Sequence, residues 1–289
     1  MKNIVAEGTQ VKNGLNMYSP AEVVSNYSKA GAEKAGLPVY RMLLMGFLAG
    51  AFIAFGGVTA NTAVFAVGNI SAARMISGLL FPFGLGMVIL LGTELFTGNS
   101  LISISVFNGD TSFAGLIRNL FFVYIGNFAG AVSVAAACAF FGQFNYSSGA
   151  LAVFTIKMAA AKCALPFGSA FVLGILCNVL VCAGVLCSLS AKDTAGRILG
   201  AYIPVAFFVI AGFEHCVANM YYIPAGLFAM KVPEYAAKAT QAGVNVSALT
   251  WKAFIANNLL PVTLGNIAGG VLVGALMWAA YKNKLKSPD

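Results

Sequence analysis

Gly92-Thr93-Glu94-Leu95-Phe96-Thr97-Gly98-Asn99 and Gly212-Phe213-Glu214-His215-Cys216-Val217-Ala218-Asn219 share the pattern G-x-E-x-x-x-x-N. Each octet interrupts a long apolar run near its middle, and each is followed by a second match. Residues 119–130 (NLFFVYIGNFAG) and 258–269 (NLLPVTLGNIAG) both read N-L-x-x-V-x-x-G-N-x-A-G. Two ordered matches in corresponding places point to a duplicated unit. The glycines four apart in each copy, Gly126 with Gly130 and Gly265 with Gly269, suit helices that cross closely in a membrane.

The surrounding chain has 289 residues, 60% hydrophobic and 9% charged, where a soluble domain carries about 25% charged. Such a chain lacks the polar surface for water, which argues against a cytosolic enzyme or a nucleic-acid-binding module. The formal net charge of +8 then reads as a topology signal and an affinity for anionic lipid. Apolar runs long enough to span a bilayer give six crossings, near 40–60, 75–107, 114–141, 167–190, 198–229 and 256–281. The expectation is an all-α membrane protein whose second and fifth crossings are broken helices.

Six crossings place both termini on one side. That side holds eleven basic residues: Lys2, Lys12, Lys29, Lys34, Arg41, Arg118, Lys192, Arg197, Lys282, Lys284 and Lys286. The other holds six: Arg74, Lys157, Lys162, Lys231, Lys238 and Lys252. The bias favours cytoplasmic termini in a cell inner membrane. Residues 1–36 are soluble in composition, with no signal peptide. Within them Ser19-Pro20-Ala21-Glu22 forms a capping box opening a helix over roughly 20–35, lying on a membrane or on the protein's own face. Residues 37–285 form the transmembrane domain, with repeat halves at about 37–145 and 160–285.

Three crossings per unit force the second copy upside down relative to the first. Backbone at bilayer depth must have its polar groups satisfied, so broken helices occur where protein or a water-filled path surrounds them. Two inverted breaks near the midplane are the pattern of a pore or transporter site, and half-helix N-termini there favour anions. Glu94 and Glu214 sit at matching places although an intramembrane carboxylate costs on the order of 2.5–3.5 kcal/mol even on the lenient insertion scale. They are expected to anchor the breaks by accepting N–H bonds, with Asn99 and Asn219 as loop braces. His215, the sole histidine, is the one group there able to exchange a proton near neutral pH, and Thr97 offers a hydroxyl of either polarity. The six cysteines have no paired C-x-x-C spacing and read as small packing residues; no metal site, disulfide framework or cofactor motif is expected, and the chain does not read as an enzyme.

The stretches at 94–99 and 212–220, with Gly174-Ile175-Leu176-Cys177-Asn178-Val179-Leu180-Val181-Cys182 and Asn258–Asn266, resemble the formate/nitrite transporter family over essentially residues 20–281. The resemblance implies a homopentamer of six-helix protomers with an aquaporin-like fold and one anion path each. It implies passive or proton-coupled transport of small monovalent weak-acid anions, formate first, with nitrite or hydrosulfide as the alternative. By the same likeness His215 is the central histidine, Thr97 the threonine facing it, and Asn178 an asparagine near that centre. Lys162 matches a vestibule lysine, with Lys34 or Lys29 in a similar role on the inner side. Phe81, Leu85, Leu95, Val181 and Phe208 fall at the hydrophobic constrictions. The stretch after Lys162 departs from the Lys-Val-His-His run of many formate channels, which leaves nitrite and hydrosulfide open beside formate. Neither break carries the Asn-Pro-Ala signature of aquaporins.

Overall fold

A computed structural model describes residues 16–285; Lys2, Lys12 and Lys286, counted above, lie outside them. Helix α1 (Pro20–Gly36) opens on the expected capping box: Glu22 N–H donates to Ser19 Oγ at 3.3 Å while Ser19 N–H donates to Glu22 Oε2 at 2.7 Å. It lies on the protein's own face. Val23, Val24 and Tyr27 pack on Leu101, Ile104, Cys182 and Leu186, and Tyr27 Oη donates to the Gly98 carbonyl at 3.1 Å.

Helix α2 (Val39–Val64) makes the first crossing. The second is assembled from α3 (Ile70–Leu80) and α4 (Phe83–Leu90), a break at 91–95, then α5 (Phe96–Asn99), one 3₁₀ turn and α6 (Ser103–Asn108). Helix α7 (Phe113–Phe140) is the third crossing. Helix α8 (Tyr146–Cys163) comes next, then α9 (Phe167–Ser190), the fourth crossing. The fifth is α10 (Thr194–Ala211), a break, and α11 (Cys216–Ala229). Beyond the peripheral α12 (Pro233–Gln241), a single turn α13 (Trp251–Ala253) leads through a π-helical stretch (Phe254–Leu259) into α14 (Leu260–Leu285). Six of these helical stretches have the length and apolarity to cross a membrane. Their outward faces expose Leu44, Phe47, Phe121, Ile125, Leu272 and Leu276, as helices bordering lipid do.

Two departures from the sequence reading matter. Residues 142–166, left without an element, contain α8, which packs on α11 and carries Lys157 and Lys162 on its later turns. Its two lysines and its polar start, where Ser147, Ser148 and Gly149 have positive φ and break the helix, keep it out of the spanning set. Of the cysteines, Cys187 is exposed rather than packed.

Close crossing explains the paired glycines. A Cβ on Gly126 or Gly130 would strike the carbonyls of Leu43 and Phe47 on α2; one on Gly265 or Gly269 would strike those of Phe171 and Ile175 on α9. The α2–α7 and α9–α14 pairs are therefore the same helix crossing made twice, and each brings its motif asparagine against a broken helix.

Candidate functional site

Each break turns on a glycine in the left-handed region, Gly92 at φ +63° and Gly212 at φ +77°, where other residues are strained. The chain then runs extended until a new helix starts, which strands backbone groups at bilayer depth. The duplicated motif satisfies them twice over. Asn127 Oδ1 accepts from Phe96 N–H (2.9 Å), and its Nδ2 donates to the carbonyls of Glu94 (2.9 Å) and Gly46 (2.8 Å). Asn266 Oδ1 likewise accepts from Cys216 N–H (2.9 Å), and its Nδ2 donates to the carbonyls of Glu214 (3.0 Å) and Gly174 (2.7 Å).

The carboxylates are held the same way. Glu94 accepts from Asn99 Nδ2 (2.6 Å) and Lys34 Nζ (2.5 Å), and Asn99 also donates to Asn119 Oδ1 (2.8 Å). Glu214 accepts from Asn219 Nδ2 (2.6 Å), Lys162 Nζ (2.8 Å) and Asn258 Nδ2 (3.3 Å), and Asn219 also donates to Asn258 Oδ1 (2.7 Å). Asn119 and Asn258 close each ring by donating to the carbonyls of Lys34 (2.9 Å) and Lys162 (3.1 Å). Lys34 stands twelve residues before Gly46, and Lys162 twelve before Gly174. The bonded repeat thus takes in α1 and α8. Tyr124 and Thr263, matching positions of the motif, hydrogen-bond to each other at 2.9 Å, which puts them on the axis relating the halves.

His215 is the N-cap residue of α11. Its Nδ1 accepts from Ala218 N–H at 3.0 Å, and its Nε2 lies 2.9 Å from Thr97 Oγ1. A ring nitrogen accepting from an amide carries no proton, so the neutral ring bears its hydrogen on Nε2 and donates to Thr97. The Phe208 ring lies nearly parallel to the imidazole, centroids 5.8 Å apart, and meets Phe81 edge-on at 5.9 Å.

Two cavities flank these aromatics. The larger, about 650 Å³, opens on the side opposite the termini and has Phe81, Phe208 and His215 at its inner end. Arg74, Lys157 and Lys162 line it with the single carboxylate Glu214, and Lys162 Nζ lies 5.6 Å from the Tyr222 ring centroid. Beyond the phenylalanines is a chamber of about 10 Å³, at the lower limit for one water molecule. All five expected constriction residues, Phe81, Leu85, Leu95, Val181 and Phe208, line it together with His215.

Thr97 and Asn178, expected on the path, line neither cavity. Thr97 sits behind the imidazole. Asn178 is one layer further back, its Nδ2 donating to the carbonyls of Thr97 (3.1 Å) and Asn266 (2.6 Å) and to Ser100 Oγ (3.0 Å). Lys162 reaches the vestibule already paired with Glu214. Besides the bracing Asn119, Asn127, Asn258 and Asn266, the residues without a role read from the sequence are Arg74 and Lys157 of the vestibule and Ile53 and Val205 of the chamber. The last two had a signal. Ile53 and Val181 each follow the glycine whose carbonyl accepts from the bracing asparagine, Gly46 or Gly174, by seven residues; Leu85 and Val205 each precede their break glutamate by nine.

A membrane-spanning chain whose two broken helices are braced around a buried chamber, reached through a basic vestibule, is built as a transport protein. Residues 21–280 match the model of the family described as formate/nitrite transporter. Similar proteins include a probable formate transporter of Methanothermobacter thermautotrophicus, 35% identical over 93% of this chain and 98% of the relative. A formate channel of Escherichia coli is 33% identical over 93% of this chain and 96% of its own length. Among solved structures, a pentameric formate channel with formate bound superposes with a TM-score of 0.76 at 34% identity, covering 84% of this chain and 98% of that one. The chain belongs to the formate/nitrite transporter family.

Proposed function

We propose that the protein carries small monovalent weak-acid anions, formate foremost, across the cytoplasmic membrane through one path in each protomer of a homopentamer, with its termini in the cytoplasm. The observation carrying this reading is the placement of one imidazole in an otherwise apolar chamber behind a basic vestibule. The formate channels among its relatives support the choice of anion and the pentameric neighbour the assembly; the excess of basic residues on the terminal side supports the orientation.

Arg74, Lys157 and Lys162 outnumber Glu214 and raise the local concentration of an anion. Passing between Phe81 and Phe208 strips its water, and in the apolar chamber the negative charge is expensive. The anion's effective pKa rises there, so it takes a proton and crosses as the neutral acid. Water in the vestibule gives up that proton and the hydroxide stays in the vestibule, while the acid ionises again on the far side. His215 is not the proton's carrier: protonating Nδ1 would set N–H against the Ala218 N–H and lose the cap. Both ring nitrogens are held within the protein, Nδ1 by Ala218 and Nε2 by Thr97 with Asn178 behind it, so the passing acid meets a polar ring of fixed orientation.

His215→Phe keeps a planar ring and removes both nitrogens. In proteoliposomes the variant is expected to lose most formate flux and to show a different pH profile. Unchanged flux and pH dependence would sink His215 as the central group.

A further inference from the structure

The chamber walls are built as pairs across the repeat axis: Ile53 with Val181, and Leu85 with Val205. All four are buried, and α2, α9, α4 and α10 contribute one each. Unlike Phe81, Phe208 and His215, none of them also faces the large vestibule. They set the girth of the chamber rather than the gate above it.

That girth is small. At about 10 Å³ the free space is at the threshold for a single water, so any carboxylic acid must press the walls back. The walls yield little. A Cβ on Gly84 would meet the Phe52 carbonyl and the Ile53 Cα at 3.0 and 3.4 Å, and one on Gly184 would meet the Ala201 carbonyl at 3.2 Å, so α4 lies tightly on α2 and α9 on α10, the four helices that carry the wall residues. Each further methyl on the permeant acid adds to the displacement, and a close-packed wall that cannot recede rejects one methylene by roughly 10–200-fold.

The geometry points to Ile53 and Val205 as specificity-determining residues that restrict the chamber to one-carbon acids and discriminate against two- and three-carbon homologues. This rests on the anion path proposed above and adds to it the size class of substrate and the residues that set it. Leu85 and Val181 complete the ring as their repeat partners, so Ile53 and Val205 sample each of the two pairs once.

The test is competitive flux of formate, acetate and propionate through the full-length protein in proteoliposomes, comparing the unsubstituted channel with Ile53→Val, Ile53→Ala and Val205→Ala. The expected result is a formate-to-acetate flux ratio that falls about tenfold in Val205→Ala and Ile53→Ala and less in Ile53→Val. Val262→Ala, an equally buried truncation on α14 outside the chamber, should leave the ratio where it was. Elution of each variant as the intact oligomer separates altered selectivity from misfolding. Formate flux with an unmoved ratio in all three chamber variants overturns the inference and leaves the anion path standing, as does an equal change in Val262→Ala. No formate flux in the unsubstituted channel overturns the path, and the inference with it.

Discussion

Replacing Asn266 by leucine, close to it in size, strands two backbone groups at once. Cys216 N–H loses its acceptor at 2.9 Å and the Glu214 carbonyl its donor at 3.0 Å. Both are buried where water does not replace the side chain. Each unsatisfied group costs about 1–3 kcal/mol, so the second break should open more easily by roughly 2–6 kcal/mol. Since about 1.4 kcal/mol is a factor of ten, amide exchange across residues 212–222 should accelerate at least about 30-fold. The first break supplies the control. Asn127→Leu strands Phe96 N–H and the Glu94 carbonyl in the same way, and should accelerate residues 92–101 while sparing 212–222. Hydrogen exchange read by mass spectrometry on protein in lipid nanodiscs separates the two regions. Exchange unchanged in either variant, or raised equally at both breaks by each, would refute the assignment of one asparagine to one break.

Two further outcomes follow from the carboxylates. Lys162→Met leaves Glu214 charged and buried without its cation and should lower stability by about 3 kcal/mol in detergent titrations, because breaking such a pair strands the survivor. The double variant with Glu214→Gln should recover most of that loss, and simple addition of two losses would refute the pairing. On the terminal side, Asp110 accepts from Asn108 Nδ2 (2.9 Å) and Ser28 Oγ (2.5 Å), which lower its pKa below the usual aspartate value. A depressed folded pKa gives stability that is present above the unfolded value, about 3.9, and lost as pH falls through the folded one. Amide protection of α1 should therefore decline only at acid pH, and Asp110→Asn should flatten that decline.

The six crossings were legible because bilayer thickness fixes how long an apolar run must be, and the expected 114–141 and 167–190 became Phe113–Phe140 and Phe167–Ser190. The breaks were legible because a glycine–glutamate–asparagine pattern inside an apolar run has few other uses. The partners of those residues were not. Asn127 and Asn266 stood out as motif letters, but spacing along one helix does not say which carbonyls lie across from it. Lys34 and Lys162 read as free attracting charges because their glutamates lie 60 and 52 residues away. Helix α8 was missed because lysines spoil its hydropathy, although Lys162 occupies the repeat place of Lys34 and so implied a helix like α1 around it.

The duplication is imperfect at the one place that matters most. Leu95 and His215 each follow their break glutamate directly, and the aromatic gate residues Phe81 and Phe208 correspond to Ala201 and Val88. The chamber wall is therefore aromatic and imidazole where it adjoins the vestibule, and aliphatic elsewhere, with Leu85, Leu95 and Val181. A passive conduit cannot alter the ratio of concentrations at which net flow stops, whatever its shape. Its kinetics carry no such restriction. A solute arriving from the vestibule meets aromatic rings and the imidazole first, whereas one arriving from the terminal side meets methyl groups first. On the path proposed above, half-saturation and susceptibility to blockers should accordingly differ between the two faces of the membrane, while the final distribution of acid and proton stays the same.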